Sequence, residues 1–193
     1  MTRVLCIASH PDDEVLGVGG TLLRHKAAGD LVWIVLANRC RTESEVESRE
    51  AEQRMGIAYE RLWESGRTIA DAVIDYIPDV VYTHSDADLH HDHRDALYQA
   101  LVACRPQSGV RTIYSFETPS ATDWSGRPFD PHHFVDIKAT IEDKDHAMEA
   151  YESELRDYPH PRNIDSLDNR AAYWGQRVGV DYAEAFEVIR ECW

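Results

Sequence analysis

Two nearly unbroken apolar runs, VLCIA at 4–8 and LVWIVLA at 31–37, constrain this chain more than any other feature. A strand covered on one face alternates apolar and polar residues. A strand that is apolar throughout is buried on both faces, the signature of a parallel sheet between layers of helices. The segment between the runs supplies the crossover, since 17–28 reads as a helix with a glycine-rich first turn, stopped by Gly29 and Asp30. The alternation then continues. Residues 43–63 read as one charged helix with Val46, Met55, Ile57 and Leu62 toward a core, interrupted by Gly66, and 68–76 as a helix ended by Pro78. Further strands are expected at 79–84, 110–116 and 134–137, and helices at 93–103, 138–155 and 166–178. Residues 118–131 form a loop rich in Pro, Ser, Gly and Asp, and 182–189 fit strand or helix equally. The expectation is an α/β fold, a three-layer αβα sandwich around a mostly parallel sheet, formed as a single domain over residues 1–193.

Charge narrows the partners. A net charge of −15 argues against nucleic acid and anionic membrane, both of which are held by basic surface. No apolar run is long enough for a membrane span. The N-terminal eight residues run too quickly into His10 and Pro11 for a signal peptide, which predicts a cytoplasmic chain. Cys6, Cys40, Cys104 and Cys192 are scattered, without a CxxC pair, and read as incidental thiols. Homo-oligomerisation is left open.

Ligands of such folds sit beyond the carboxyl ends of the strands. Two segments leave such ends here. Ser9-His10-Pro11-Asp12-Asp13-Glu14 carries one imidazole and adjacent carboxylates, and 86–93 holds three histidines and three aspartates. Alone, the first is a capped turn and the second a solvated helix start. Together they make a metal site, because neighbouring carboxylates repel unless a cation sits among them. His10, His93 and one carboxylate would leave a fourth position for water, the open geometry of hydrolytic zinc. The other carboxylate of the Asp12-Asp13 pair would take the water's proton. Two histidines and a carboxylate also suit Fe2+ or Co2+. The run Gly17-Val18-Gly19-Gly20 lacks the third glycine of a dinucleotide fingerprint, Leu22 standing there, and reads as close approach of helix to sheet. His132 and His133 lack the partners that would complete a second metal site.

The stretch Ser9-His10-Pro11-Asp12-Asp13-Glu14, followed by Leu16-Gly17 and Gly19-Gly20-Thr21-Leu22, resembles the [AS]-H-P-D-D-E signature of the LmbE-like, or PIG-L, deacetylase family. Asp88-Leu89-His90-His91-Asp92-His93 is similar to its H-x-D-H motif, and Val178-Gly179-Val180-Asp181-Tyr182-Ala183-Glu184-Ala185-Phe186 to its carboxyl-terminal pattern. The resemblance implies a Rossmann-like sandwich and a zinc-dependent enzyme, one Zn2+ per chain, that removes N-acetyl or related acyl groups from small sugar-like molecules. It implies His10, Asp13 and His93 as metal ligands and Asp12 as general base. It implies His90 as the histidine that holds the oxyanion or protonates the leaving amine, and Asp92 as the carboxylate holding an imidazole from behind. Arg49, in a loose Arg-x-x-Glu match with Glu52, and Glu117 and Trp124 are candidate substrate contacts. An amidase of thiol or antibiotic conjugates and a non-catalytic zinc- or sugar-binding relative are the alternative readings.

One departure stands out. Family members carry another strand between the second helix and the strand before H-x-D-H, whereas 60–68 here join two helices without an apolar run. That predicts a sheet one strand short of the usual family sheet, with substrate recognition altered more than chemistry.

Overall fold

The computed structural model describes residues 1–192. In chain order the elements are β1 (Arg3–Ala8), α1 (Asp13–Ala27), β2 (Leu31–Leu36), α2 (Thr42–Met55), β3 (Ala58–Arg61), α3 (Leu62–Ser65), α4 (Ile69–Tyr76) and β4 (Val80–His84). They continue with α5 (His91–Ala103), β5 (Thr112–Phe116), β6 (His133–Asp136), α6 (Ile141–Met148), α7 (Ile164–Val178) and β7 (Ala183–Arg190). All seven strands join one sheet in the order β3-β2-β1-β4-β5-β7-β6, parallel from β3 to β5, with β7 antiparallel to both its neighbours.

The expected sandwich follows from β1. Val4, Cys6 and Ala8 pack into one core, with Val15 and Leu22 of α1 and Met55 of α2. Leu5 and Ile7 point the other way, into a core with Val73 of α4 and Ala100 of α5. The uninterrupted apolar run is thus the two faces of one central strand. Gly17 and Gly20 set how closely α1 lies on the sheet. A Cβ at Gly17 would collide with the Phe116 ring and the Glu117 carbonyl, and one at Gly20 would meet Ile137 at 3.0 Å. Close approach, not nucleotide binding, accounts for the glycine run.

The missing strand is a correction, because β3 is present. The chain read as one helix over 43–63 turns at Gly56, left-handed at φ 58°, and Ala58–Arg61 then pairs in parallel with β2. It escapes an apolar pattern because it is an edge strand whose side chains are long and polar. Arg61 donates to Ser48 and Glu52 of α2, Tyr59 to Glu14 of α1, and Glu60 accepts from Tyr76 and Arg67 on the opposite face. The helix expected at 138–155 is also shorter. After Met148 the chain turns so that the buried Tyr151 hydroxyl reaches Glu14, and it runs irregularly to Asn163, which caps α7 by accepting from Ser166 N at 3.0 Å. The ambiguous 182–189 is strand β7. Among the described residues no helix is long and apolar enough to cross a membrane.

Topology places the site. The chain moves outward from β1 to β2 and β3, then returns to lay β4 on the other side of β1. The strand order reverses between β1 and β4, so the loops leaving these two strands diverge and open a crevice at their carboxyl ends.

Candidate active site

Both histidine-rich loops meet in that crevice. His10 Nδ1, Asp13 Oδ2 and His93 Nε2 converge, with separations of 3.3 Å between the nitrogens, 3.5 Å from His10 to Asp13 and 3.3 Å from His93 to Asp13. A tetrahedral centre with bonds of about 2.0–2.1 Å has ligand–ligand edges of about 3.3–3.4 Å, so these three atoms fit one face of such a tetrahedron. Each imidazole is backed by a carboxylate on its other nitrogen. His93 Nδ1 lies 2.9 Å from Asp88 Oδ2, and His10 Nε2 lies 3.0 Å from Asp92 Oδ2. Those contacts place the ring protons on the outer nitrogens and aim bare lone pairs at the common point.

The charges are arranged accordingly. Burial works against ionised Asp13, but His93, His10 and His84 outweigh it and hold the carboxyl well below its ordinary range. Asp12 is the opposite case. Burial pushes it well above its usual value, Arg162 opposes this, and Asp13, Glu154 and Glu14 add to the rise. Asp12 is 2 % exposed and sits at φ 104°, a strained backbone for a residue with a side chain. The turn is held by its N–H donating to Glu14 Oε2 at 3.1 Å and by Arg162 Nη1 donating to its Oδ2 at 2.8 Å.

His90 caps α5, its Nδ1 accepting the Asp92 N–H at 3.2 Å, which leaves Nε2 to carry the ring proton. Its ring stands 4.9 Å from that of His10 and 4.7 Å from that of His93. Burial and the two neighbouring imidazoles pull His90 below its ordinary value, so it is a neutral N–H donor at neutral pH. These groups, with Glu154 and Arg162, line a cavity of about 160 Å3. Two histidines, a carboxylate ligand, a buried second carboxylate and an N–H donor around one small cavity can activate water and stabilise a developing oxyanion.

The PIG-L family model, described as GlcNAc-PI de-N-acetylase, matches residues 5–65. The chain is 33 % identical over 159 residues to the uncharacterized deacetylase YaiS of Escherichia coli (strain K12), covering 70 % of this chain and 82 % of that one. The chain belongs to the PIG-L deacetylase family. A diacetylchitobiose deacetylase of Thermococcus kodakarensis is 25 % identical over 233 residues, 97 % of this PIG-L protein and 83 % of the relative. Among solved structures, the conserved protein TT1542 of Thermus thermophilus superposes with a TM-score of 0.79 at 28 % identity, over 100 % of this chain and 97 % of that one.

Three expected substrate contacts lie elsewhere in this PIG-L protein. Arg49 sits outside the cavity in an exposed ion pair, its Nη2 2.5 Å from Glu64 Oε1. Glu117 is buried behind α1, bonded to Trp174 Nε1 and Arg170 Nη1, both at 2.5 Å. Trp124 is 58 % exposed, edge-on to His160, and does not line the cavity. Conversely, several residues of the site carried little signal. Asp88 lies inside the histidine-rich loop, where its five-residue spacing from His93 is the only clue. His84 ends β4 as a fully buried ring stacked 4.1 Å from His93, and its Nε2 accepts the Ser9 N–H at 2.8 Å, which removes it from the ligand set. Arg162 is 150 positions from Asp12 in a segment without periodicity.

Proposed function

We propose that this PIG-L protein is a metal-dependent hydrolase that removes an N-acetyl or similar N-acyl group from a small amino-sugar-like molecule. The observation that carries the reading is the tetrahedral-edge spacing of His10 Nδ1, Asp13 Oδ2 and His93 Nε2 beside the buried carboxyl of Asp12. A divalent ion held by those three atoms, zinc in this reading, would supply a Lewis acid and a water of lowered pKa. Asp12, with Oδ2 fixed by Arg162, receives the proton of the attacking water on its free Oδ1. His90 donates its Nε2–H to the substrate oxygen as negative charge grows there. The proton held at Asp12 passes to the departing nitrogen as the C–N bond breaks, giving a carboxylate and a free amine. Asp88 and Asp92 keep the two ligand imidazoles in the required tautomers. A sugar-like substrate is supported by the relative named as a diacetylchitobiose deacetylase and by the polar lining of the cavity.

The test is amine release from a panel of N-acetylated sugars by the purified protein, with bound metal quantified in the same sample and Asp12→Ala alongside. Turnover with about one metal per chain, and a variant that keeps the metal but loses turnover, is the expected result. A protein that takes up no divalent metal would overturn the reading.

A further inference from the structure

One carboxylate in the wall of the cavity has an oxygen that no protein group serves. Glu154 belongs to the irregular segment after α6, where its N–H donates to the Tyr151 carbonyl at 3.0 Å. The residue is 7 % exposed, and the surface it keeps lines the cavity. Its Oε1 is fixed by the Ser44 hydroxyl of α2, which donates at 2.8 Å. Among the described residues, no side chain or backbone group donates a hydrogen bond to Oε2. A carboxylate only accepts, so whatever binds there must bring the hydrogen. We propose that Glu154 Oε2 accepts a hydrogen bond from a hydroxyl of the substrate, and that Glu154 thereby selects N-acylated sugars with a neutral hydroxyl at one position. The nature of the substrate rests on the function proposed above, while binding can be tested without turnover.

The neighbours decide what kind of donor fits. Arg156 Nη2 and Arg162 Nη1 lie 3.7 and 3.8 Å from Oε2, near enough to balance its charge but beyond hydrogen-bond reach. Both guanidinium groups are engaged elsewhere. Arg162 Nη1 donates to Asp12 Oδ2 at 2.8 Å, and Arg156 Nη1 to the carbonyls of Ser153 and Leu155 at 2.6 and 2.8 Å. Glu154 thus has countercharge and lacks a donor, which suits a neutral O–H better than an ammonium group. A phosphate or carboxylate at that position would set a second anion against Oε2 and be rejected. The carboxylate is also held ready. Besides the Ser44 bond, the adjacent Ser153 donates its N–H and Oγ to Glu47 of α2 at 2.8 and 2.7 Å. Two ties to one helix fix the segment before a substrate arrives.

The test compares N-acetylglucosamine with its single-deoxy analogues, each lacking one hydroxyl, on the wild type, Glu154→Gln and Glu154→Ala. It reads kcat/KM where the sugars turn over and affinity by isothermal titration where they do not. The wild type should prefer the parent sugar to one analogue by about 10–150-fold, the worth of one hydrogen bond to a charged group. Glutamine keeps the Ser44 bond and turns its NH2 to the cavity, where the hydroxyl can accept from it. A neutral bond is about half as strong, so the preference should fall to about 3–12-fold. In Glu154→Ala it should vanish. The Glu154 charge also adds to the rise of Asp12 that burial produces, but that effect is common to every sugar and cancels in the ratio. Should Glu154→Ala fail to fold, the wild type and Glu154→Gln decide. A preference unchanged in the variants, with all sugars losing equally, would mean a structural role and overturn the proposal. A wild type that takes every analogue as well as the parent would do the same and leave the proposed function standing. The expected preference in affinity without any turnover would sink the proposed function and leave the role of Glu154 in place. Neither binding nor turnover of any sugar would overturn both.

Discussion

Asp88→Asn should damage metal binding more than its small change in shape suggests. Asp88 is 2 % exposed; its Oδ1 accepts the His90 N–H at 2.8 Å and its Oδ2 accepts the His93 Nδ1–H at 2.9 Å. In the variant the amide oxygen keeps the His90 bond, which turns the NH2 toward His93. The ring can accept from that NH2 only by moving its own proton to Nε2, the atom that faces Asp13 and the metal position. Binding a metal restores the proton to Nδ1 and sets two donors against each other. The loss is one buried charge-assisted hydrogen bond, about 1.5–3 kcal/mol, or about 10–150-fold in metal affinity. The assay is competition with a chromophoric chelator on the metal-loaded protein. Asp88→Ala, which leaves Nδ1 free to bond to water, should lose less than Asn although it removes more atoms. Equal metal affinity in Asp88→Asn and wild type would refute the argument that Asp88 sets the tautomer of His93.

Four further outcomes follow from other contacts. Arg162→Ala removes the cation opposing the rise of Asp12, so the acidic limb of kcat/KM against pH should move to higher pH, with a loss at neutral pH bounded by the about 10²–10⁴-fold that a general base supplies; Arg162→Lys should restore part of it. Gly17→Ala drives a methyl group into the Phe116 ring and the Glu117 carbonyl, and should lower stability by about 1–3 kcal/mol in urea titrations. Glu14 is fully buried, and burial raises it from 4.5 to about 7 against the pull of its tyrosine and backbone donors. The native state therefore keeps a proton that the unfolded chain releases between those values, so the metal-free protein should lose stability as pH rises through that window, by about 3 kcal/mol, and Glu14→Gln should flatten the difference between urea midpoints at pH 5 and pH 8. Arg49→Ala should leave kcat/KM unchanged in steady-state assays, because its exposed pair with Glu64 lies outside the cavity.

The sequence revealed what is local and periodic. The runs at 4–8 and 31–37 identify strands buried on both faces because burial leaves no polar position. The histidine- and aspartate-rich loops mark themselves by composition. What stayed hidden depends on distant partners. β3 is hidden because Tyr59, Glu60 and Arg61 satisfy themselves on Glu14, Tyr76 and Ser48, far apart in sequence, and no apolar alternation survives. The charged residues on both sides of Gly56, which ends α2, read as one helix. Arg49 is the reverse case, since a local Arg-x-x-Glu pattern says nothing about which way a helix turns its face, and here the side chain pairs with Glu64.

Arg162 shows why the remaining part of the site cannot be read locally. The guanidinium is held by the Pro119 carbonyl and Ser120 Oγ, at 3.3 and 3.2 Å from Nε, while Nη1 reaches Asp12. Its position is therefore fixed jointly by the loop after β5, the irregular segment after α6 and the turn after β1. The turn after β1 in turn depends on Glu14, whose oxygens collect the Asp12 N–H and the hydroxyls of Tyr59 and Tyr151. Tyr59 belongs to β3, and Tyr151 to the turn that cuts α6 short. The same two features that the sequence did not show thus hold Asp12 in its strained position. Edge strand, shortened helix and Asp12 form one hydrogen-bonded unit, and loss of either tyrosine hydroxyl should be felt at Asp12 before it is felt in the core.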